Sequence, residues 1–481
     1  MVNVVFWLNY HIGGLNPWPY HLTNLIFHIG VCFLVYLLVL SLFKDYKDKN
    51  KIAILASIFF SILPNHSEAV IWIAAVADPT AAFFYLLAFY GYLSFRQKMK
   101  FSWLLISVAS FILGLLTKEF VITLPILILV WELYEALSKN KFRWQDIVFK
   151  SIGYWVLSIG YLFVRYYSIG LSFGYYGREQ FQMQWERIFK MFVALITDLM
   201  FWGQMRVSVT EFFMANKLLF VMAFILVLGL IWLALKEYKF KAPWLFDSYF
   251  VAILPVLFLA FNDLSDEGER YNYLGSVFFC ILLALLVWQI EKIKARYVVL
   301  VVIILYFGVF LIYKNYNWQL AANLSEKIIL RDLPQVVDLS KTNGQVLFVS
   351  LPDNLSGAQV LRNGIELAMK IYYPGSQIKA DHLNVYLRLK PQIYQRKIIY
   401  WGPYPTGGWI AQTFDGKFWV TGLDRQETDN YIFELWNYNY TNYTADTVRL
   451  IFKDQAGQFI KAGEEPVEVI VYNEGGLQIL K

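Results

Sequence analysis

Apolar blocks recur along the first two thirds of this chain, several of them about 17–23 residues long, the length that crosses a bilayer as an α-helix. So many such blocks cannot all be hidden in one water-soluble core. Charged residues make up only 16% of the chain, against roughly a quarter in soluble domains. The chain therefore reads as an α-helical polytopic membrane protein. Spans are expected at about 21–43, 52–64, 79–95, 101–117, 119–137, 151–167, 217–236, 244–262, 271–290 and 297–313.

Orientation follows from the connecting segments. KDYKDKNK (44–51), RQKMK (96–100), SKNKFRWQDIVFK (138–150), KEYKFK (236–241) and EKIKAR (291–296) hold most of the short-loop Lys and Arg. They fall at every second turn, which places them on the cytoplasmic side. The alternate segments, 1–20, 64–78, 117–119, 168–216 and 262–270, then face out. The net charge of +6 is accounted for by these loops and points to no nucleic-acid partner. Parity puts residue 314 outside, so IFKMFVALITDLMFWGQM (188–205), with Asp198 in its middle, reads as a re-entrant or interfacial helix. A true crossing paired with a second, unrecognised one is the alternative. Cys32 and Cys280 both lie in apolar spans, so no disulfide framework is expected.

Composition changes after residue 313. Residues 314–481 are rich in Asn, Asp and Gly and read as a soluble extracytoplasmic domain with an α/β start and a β-rich remainder. Helices are expected over 317–337 and 355–373, and a short buried strand at 345–351. LNVYLRL, KIIYWG, FWVTG, YIFELW, TVRLIFK and VEVIVY follow as strands between turn residues. Asn439 and Asn442 stand in Asn-x-Thr triplets, which act as acceptors only in a glycosylating source.

Polar clusters collect at the outer ends of the spans. Charged groups at that depth require water, a partner or a ligand, and so mark function by default. LPNHSEAVIWIAAVAD (63–78) carries His66, Glu68 and Asp78. Its spacing predicts one helical face of Val70, Ile71, Ala74 and Ala77, with Glu68 and Asp78 as polar ends. Lys118 and Glu119 are wedged between two spans, as phosphate anchor and neighbour or as an ion pair at a tight turn. Asp266, Glu267, Glu269 and Arg270 precede Tyr271 and Tyr273, either as a site or as a solvated turn. His21, Asn24 and His28 share one face of the first span, where bonding to neighbouring helices is the plainer role. Lys118 and Arg270 are candidate phosphate anchors, one a point charge and the other a planar fork. Glu68 and Asp78 are the candidate catalytic acids, and His66, Lys118, Glu119, Glu269, Arg270 and Tyr271 the candidate substrate-binding residues.

VNVVFWLNYHIGGLNPWPYHLTNLIFH, PNHSEAVIWIAAVAD, LLTKEFVITLP and ERYNYLGSVFF stand in the order found in the GT-C superfamily of integral-membrane glycosyltransferases. The chain resembles most the protein O-mannosyltransferase and TMTC-type branch and its bacterial relatives, over about 1–313. The resemblance implies a GT-C-like bundle and transfer of a sugar from a polyprenyl-phosphate carrier to a protein, lipid or glycan acceptor on the extracytoplasmic face. It implies that Glu68 lines the cavity and that Lys118 and Arg270 approach the carrier phosphate. A prokaryotic plasma membrane is the expected location, with membrane lipid and the polyprenyl-phosphate sugar as partners.

The sequence departs from that pattern in places. The family carries an acidic residue, often Asp, in the first external loop, yet residues 1–20 hold neither Asp nor Glu. The first family span is also absent, which leads to the expectation of a start upstream of Met1. Val76 stands where Arg is usual, and Leu63 where His is usual. A divalent metal is compatible with the chemistry, but no ligand cluster stands out. A secondary transporter and a non-catalytic scaffold displaying 314–481 are the rival readings; the first usually shows internal repeats and mid-membrane polar residues, which are not evident here.

Overall fold

The structure, a computed structural model, describes residues 1–140, 142–170, 185–258, 268–338, 344–361, 364–383, 385–390, 397, 399–404, 408–413, 418–420, 425–428, 431–437, 444–454, 458–461 and 467–480. Asp266, Glu267, Asn439 and Asn442 lie outside the described residues, as do parts of the 168–216 segment and the end of the 244–262 block. The chain divides into two compact units, one holding Met1–Asp263 and Gly268–Tyr313, the other Lys314–Lys481.

The first unit is helical: α1 (Val2–Gly13), α2 (Trp18–Leu42), α3 (Lys49–Ile62), α4 (Ser67–Ile71), α5 (Ala77–Lys98), α6 (Phe101–Leu115), α7 (Leu124–Ser138), α8 (Trp144–Ile169), α9 (Trp185–Thr197), α10 (Gln204–Ala215), α11 (Lys217–Ala234), α12 (Lys241–Ile253), α13 (Gly275–Trp288) and α14 (Ile293–Glu326). Among the described residues six helices are long and apolar enough to cross a membrane, or seven if α3 and the bent segment after it count as one. Phe101–Leu115 and Gly275–Trp288 are shorter apolar helices.

Burial shows how a nearly uniform apolar helix chooses its faces. Along α2, Asn24, His28, Val31, Val35, Leu38 and Leu42 are buried, a spacing of three and four residues that forms one stripe. Leu25, Ile26, Ile29 and Phe33 are exposed on the other side. The polar members face inward and the purely apolar face is left for lipid. α11 buries only Phe220 and exposes Leu218, Met222, Ile225, Leu226 and Leu230, as a helix bathed in hydrocarbon does. The centre of the unit is aromatic, with the rings of Phe89 and Trp244 stacked at 5.7 Å and Trp131 edge-on to Trp244 at 5.1 Å. α5 and α6 lie close because of Gly91: a Cβ there would sit 3.1 Å from the Trp103 carbonyl and from the Ser107 backbone nitrogen.

The five basic turns meet at one end of this bundle. Lys241 lies over the rings of Tyr46 at 4.7 Å and Phe43 at 5.2 Å. Lys51 and Arg296 share Trp288, at 5.2 and 4.2 Å from its ring. Gln97 donates to Ser41 Oγ at 2.9 Å. Buried Glu132 takes Arg96 Nε at 2.9 Å and Lys150 Nζ at 2.5 Å, tying two further basic segments together.

Several local expectations change. Within residues 1–20, Val2–Gly13 forms α1, closed by the turn at Gly14. The 63–78 stretch is not one helical face. Pro64 holds Leu63 extended, at φ −66 and ψ 122. The axis bends by 55° there. A 3-10 turn (Pro64–His66), α4 and a second 3-10 turn (Ile73–Val76) follow, split by extended Trp72. Ala74 faces out while Glu68 and Asp78 are buried, the reverse of the expected amphipathic arrangement. The 188–205 block is not one helix either: α9 ends at Thr197 and α10 starts at Gln204.

In the second unit, α14 ends in a turn of π-helix (Lys327–Asp332) and α15 (Leu333–Val336), in place of a separate 317–337 helix. Strand Gln345–Val349 lies between two parallel neighbours, Lys379–His382 and Glu468–Asn473. A five-stranded antiparallel sheet contains Ile399–Pro403, Trp409–Thr413, Thr447–Phe452, Tyr431–Trp436 and Arg425–Glu427 in that order. All six expected strands are present. The expected helix over 355–373 shrinks to α16 (Ile365–Tyr372), because Ala358–Gln359 pairs as a strand and Gly364 turns at φ +106.

Candidate functional site

Three of the polar segments converge at the end of the helical unit opposite the basic turns. Asn24 of α2 donates to the carbonyls of Val70 (3.3 Å) and Trp72 (3.0 Å), at the end of α4. That bond fixes the segment carrying Glu68. Gly268, at φ +85, turns the chain into a 3-10 turn, Glu269–Asn272, which carries Arg270. Asp78 sits in the first turn of α5, where backbone N–H groups favour a carboxylate. Lys118 is the extended residue between α6 and a 3-10 turn, Glu119–Thr123.

These residues form one alternating string of charge. The Arg270 guanidinium pairs with the Glu68 carboxylate, and the Arg270 backbone N–H donates to Glu68 Oε2 at 3.2 Å. Arg270 Nε is 4.0 Å from Asp78 Oδ2. Asp78 Oδ1 accepts from Lys118 Nζ at 2.5 Å. Glu68 is 1% and Asp78 3% exposed. Buried carboxylates persist only with partners, and each has its cation. Aromatic faces complete the setting: the guanidinium of Arg270 lies 4.9 Å from the rings of Trp72 and Tyr271, and Lys118 Nζ 5.9 Å from Tyr271.

Behind the string lies a second buried layer. Glu269 is buried, and desolvation pushes its carboxyl well above the usual glutamate range, helped by the negative charges of Asp198 and Glu68 and opposed by Arg206. Asp198 Oδ2 accepts from Asn65 Nδ2 (3.3 Å) and Asn272 Nδ2 (3.2 Å). His66 points away from the charged string, with Nε2 2.8 Å from Ser276 Oγ of α13 and its ring 4.7 Å from that of Tyr273. His28 Nδ1 is 2.8 Å from the Tyr273 hydroxyl.

The structure thus brings Glu68, Asp78, Lys118, Arg270 and Tyr271 together, with Glu269 directly behind. It does not pair Lys118 with Glu119. Glu119 accepts from Arg165 Nη2 at 2.5 Å, and its side chain is 39% exposed. Asn24 and His28 bond to neighbouring segments, the plainer of their two roles. Sequence reasoning passed over Trp72, Asn65 and Asn272. The signal is an Asn within three residues of Glu68 and of Arg270, in PNHSE and ERYNY. Among the described residues no group of three or more His, Cys, Asp or Glu is arranged to hold a metal ion.

A carboxylate beside a guanidinium and an ammonium, ringed by aromatic faces at the end of an apolar bundle, can deprotonate a hydroxyl and bind an oxyanion. No family model matches the chain. It is 34% identical over 136 residues to human "Protein O-mannosyl-transferase TMTC3", covering 28% of this chain and 14% of that protein. It is 30% identical over 164 residues to human TMTC4, covering 31% and 22%, and 31% identical over 175 residues to Xenopus laevis tmtc2, covering 35% and 19%. The matched parts therefore span about a fifth or less of these relatives' own length. Among solved structures, the crystal structure of ArnT from Cupriavidus metallidurans bound to undecaprenyl phosphate aligns with a TM-score of 0.36 and 13% identity, over 70% of this chain and 56% of that one.

Proposed function

We propose that residues 1–313 form a membrane-embedded glycosyltransferase that takes a hexose from a polyprenyl-phosphate carrier and transfers it to a hydroxyl acceptor on the extracytoplasmic face. The observation that carries this reading is the buried string Glu68–Arg270–Asp78–Lys118. Its location at the end of an apolar bundle suits a donor whose tail stays in lipid and whose phosphate reaches the boundary. The similarity to proteins named protein O-mannosyl-transferases supports the reaction class.

The residues divide the work. The acceptor hydroxyl gives its proton to the Glu68 carboxylate as its oxygen forms a bond to the anomeric carbon. The bond from that carbon to the phosphate oxygen breaks, and its electron pair stays on the phosphate. Arg270, a planar donor fork, and Lys118, a point charge, stabilise that developing charge. Asp78 holds both cations in place, within reach of each. Trp72 and Tyr271 offer flat apolar faces for a sugar ring and keep water from the reacting carbon. In this scheme 314–481 is an extracytoplasmic domain.

The test uses the full chain in liposomes, with radiolabelled polyprenyl-phosphate mannose and glucose and hydroxyl-bearing peptide, lipid and glycan acceptors. Transfer by the parent, lost in Glu68→Gln and Asp78→Asn, supports the proposal. No transfer from either donor to any acceptor, or parental rates in both variants, overturns it.

A further inference from the structure

Asp198 lies just past the end of α9, with its backbone N–H on the Ala194 carbonyl. A helix C-terminus is the least favourable place for a carboxylate, because the nearby carbonyls carry the negative end of the helix dipole. It is 2% exposed, which adds desolvation to that penalty. Packing alone would be met better by an apolar residue of this size. Among its partners are two amides from segments far apart in the chain. Asn65 lies three positions before Glu68, and Asn272 two positions after Arg270. Both donate to the same oxygen, Oδ2, at 3.3 and 3.2 Å. Asn272 is held further by donating to the Leu195 carbonyl at 2.8 Å and accepting from the Tyr249 hydroxyl at 3.1 Å.

We propose that Asp198 is a positioning residue for the transfer site, its carboxyl bridging Asn65 and Asn272 and so setting the distance between the segment that carries Glu68 and the turn that carries Arg270. The inference rests on the proposed glycosyl transfer for its kinetic consequence, but not for its geometry. Glu68 and Arg270 meet through side chains from segments 202 residues apart. A pair assembled that way is only as well placed as the backbones behind it, and a shift of about an ångström in reacting groups lowers rates by about 10²-fold. Asp198 supplies a single point to which both backbones are tied.

The experiment compares the full chain with Asp198→Leu, Asp198→Asn, Asn65→Ala and Asn272→Ala in liposomes. Asp198→Leu removes the acceptor and keeps the branching of the side chain, at a larger volume. Asp198→Asn removes the charge but leaves one oxygen for the two amides. With positioning, Asp198→Leu lowers kcat by about 10²-fold while the donor KM stays within about threefold, and Asp198→Asn recovers most of the loss. Hydrogen exchange is read in parallel and does not depend on turnover. Asp198→Leu should raise exchange in 63–78 and in 268–274 together, Asn65→Ala in the first alone and Asn272→Ala in the second alone. Parental kcat in Asp198→Leu, or exchange that rises only within α9, overturns the assignment. Should Asp198→Leu fail to fold, the two Asn variants decide by the same pattern of exchange. Should the parent itself transfer no sugar, the proposed function fails and the exchange pattern alone decides the positioning.

Discussion

Arg270 and Glu68 stand 202 residues apart in the chain and meet twice, once through the guanidinium and once through the Arg270 backbone N–H at 3.2 Å from Oε2. The two contacts fix both the charge and the backbone of the Arg270 turn against one carboxylate. With the Glu68 side chain 2% and the Arg270 side chain 15% exposed, neither can turn to water if the other is lost.

Removing both partners should therefore cost less than the two single losses added together. Arg270→Met or Glu68→Leu alone should cost about 3 kcal/mol of stability, whereas the double substitution should cost less than the sum of the two. Thermal unfolding of the detergent-solubilised protein measures this. Strictly additive shifts would show that the pair is not coupled.

Arg270→Lys keeps the charge and gives up the planar fork and the stacking on Trp72 and Tyr271. Donor KM should rise by about tenfold, because a point charge cannot bind a phosphate in two places at once. Lys118→Ala should weaken the donor as well and leave Asp78 without its nearest cation. Unchanged donor affinity in both variants would take the two residues out of the site.

Glu68→Gln keeps shape and some hydrogen bonding while removing the base. Transfer should fall by about 10²-fold or more, the scale of general-base loss, with normal membrane insertion. A turnover equal to the parent would reduce the 63–78 segment to a connector.

The raised carboxyl of Glu269 gives a pH dependence of defined sign. Folded Glu269 holds its proton to higher pH than the unfolded chain, whose ordinary value is 4.5. Its contribution to stability is complete below that value and is lost as pH rises through the folded value. Glu269→Gln, a mimic of the protonated form, should flatten this alkaline decline. The midpoint of thermal unfolding across pH 5–9 should fall less steeply in the variant, and identical slopes would count against a raised carboxyl.

Topology is open to direct measurement. Reporter fusions after residues 48, 98, 143, 239 and 294 should report the cytoplasm, since each falls in a basic turn. A fusion after residue 400 should report the opposite side, and a cytoplasmic signal there would overturn the proposed orientation.

Much of this was legible in the residues. Charge at membrane depth is costly, so Glu68, Asp78, Lys118 and Arg270 stood out against apolar neighbours, and all four meet. Alternating Lys and Arg likewise foretold the five turns that gather at one end. Pairing was less legible. Sequence adjacency offers Glu119 as one partner for Lys118, but an extended backbone sends consecutive side chains apart, and each finds a partner on another helix. The 63–78 segment does not form one face, because Leu63, held by Pro64, and Trp72 are extended and break the helical spacing between short turns. In 355–373 a helical pattern of apolar residues conceals a tight hairpin, Leu351–Leu355 with Ala358–Gln359, turned at Ser356 and Gly357, both at positive φ.

Because Glu68 is 1% exposed, any ion created beside it sits in a medium that screens poorly. In the proposed chemistry a phosphodiester arrives with one negative charge and leaves as a monoester with two. At the same step the proton taken by Glu68 removes one negative charge from the same enclosure. The sum over carboxylate, guanidinium and phosphate is then equal on both sides of the transition state. Charge migrates sideways, from carboxylate to phosphate, and no new ion has to be solvated during bond exchange. Electrostatic work is thereby confined to the arrival of the donor and the departure of the lipid phosphate, which makes product release the stage most sensitive to salt and to the charge of surrounding headgroups.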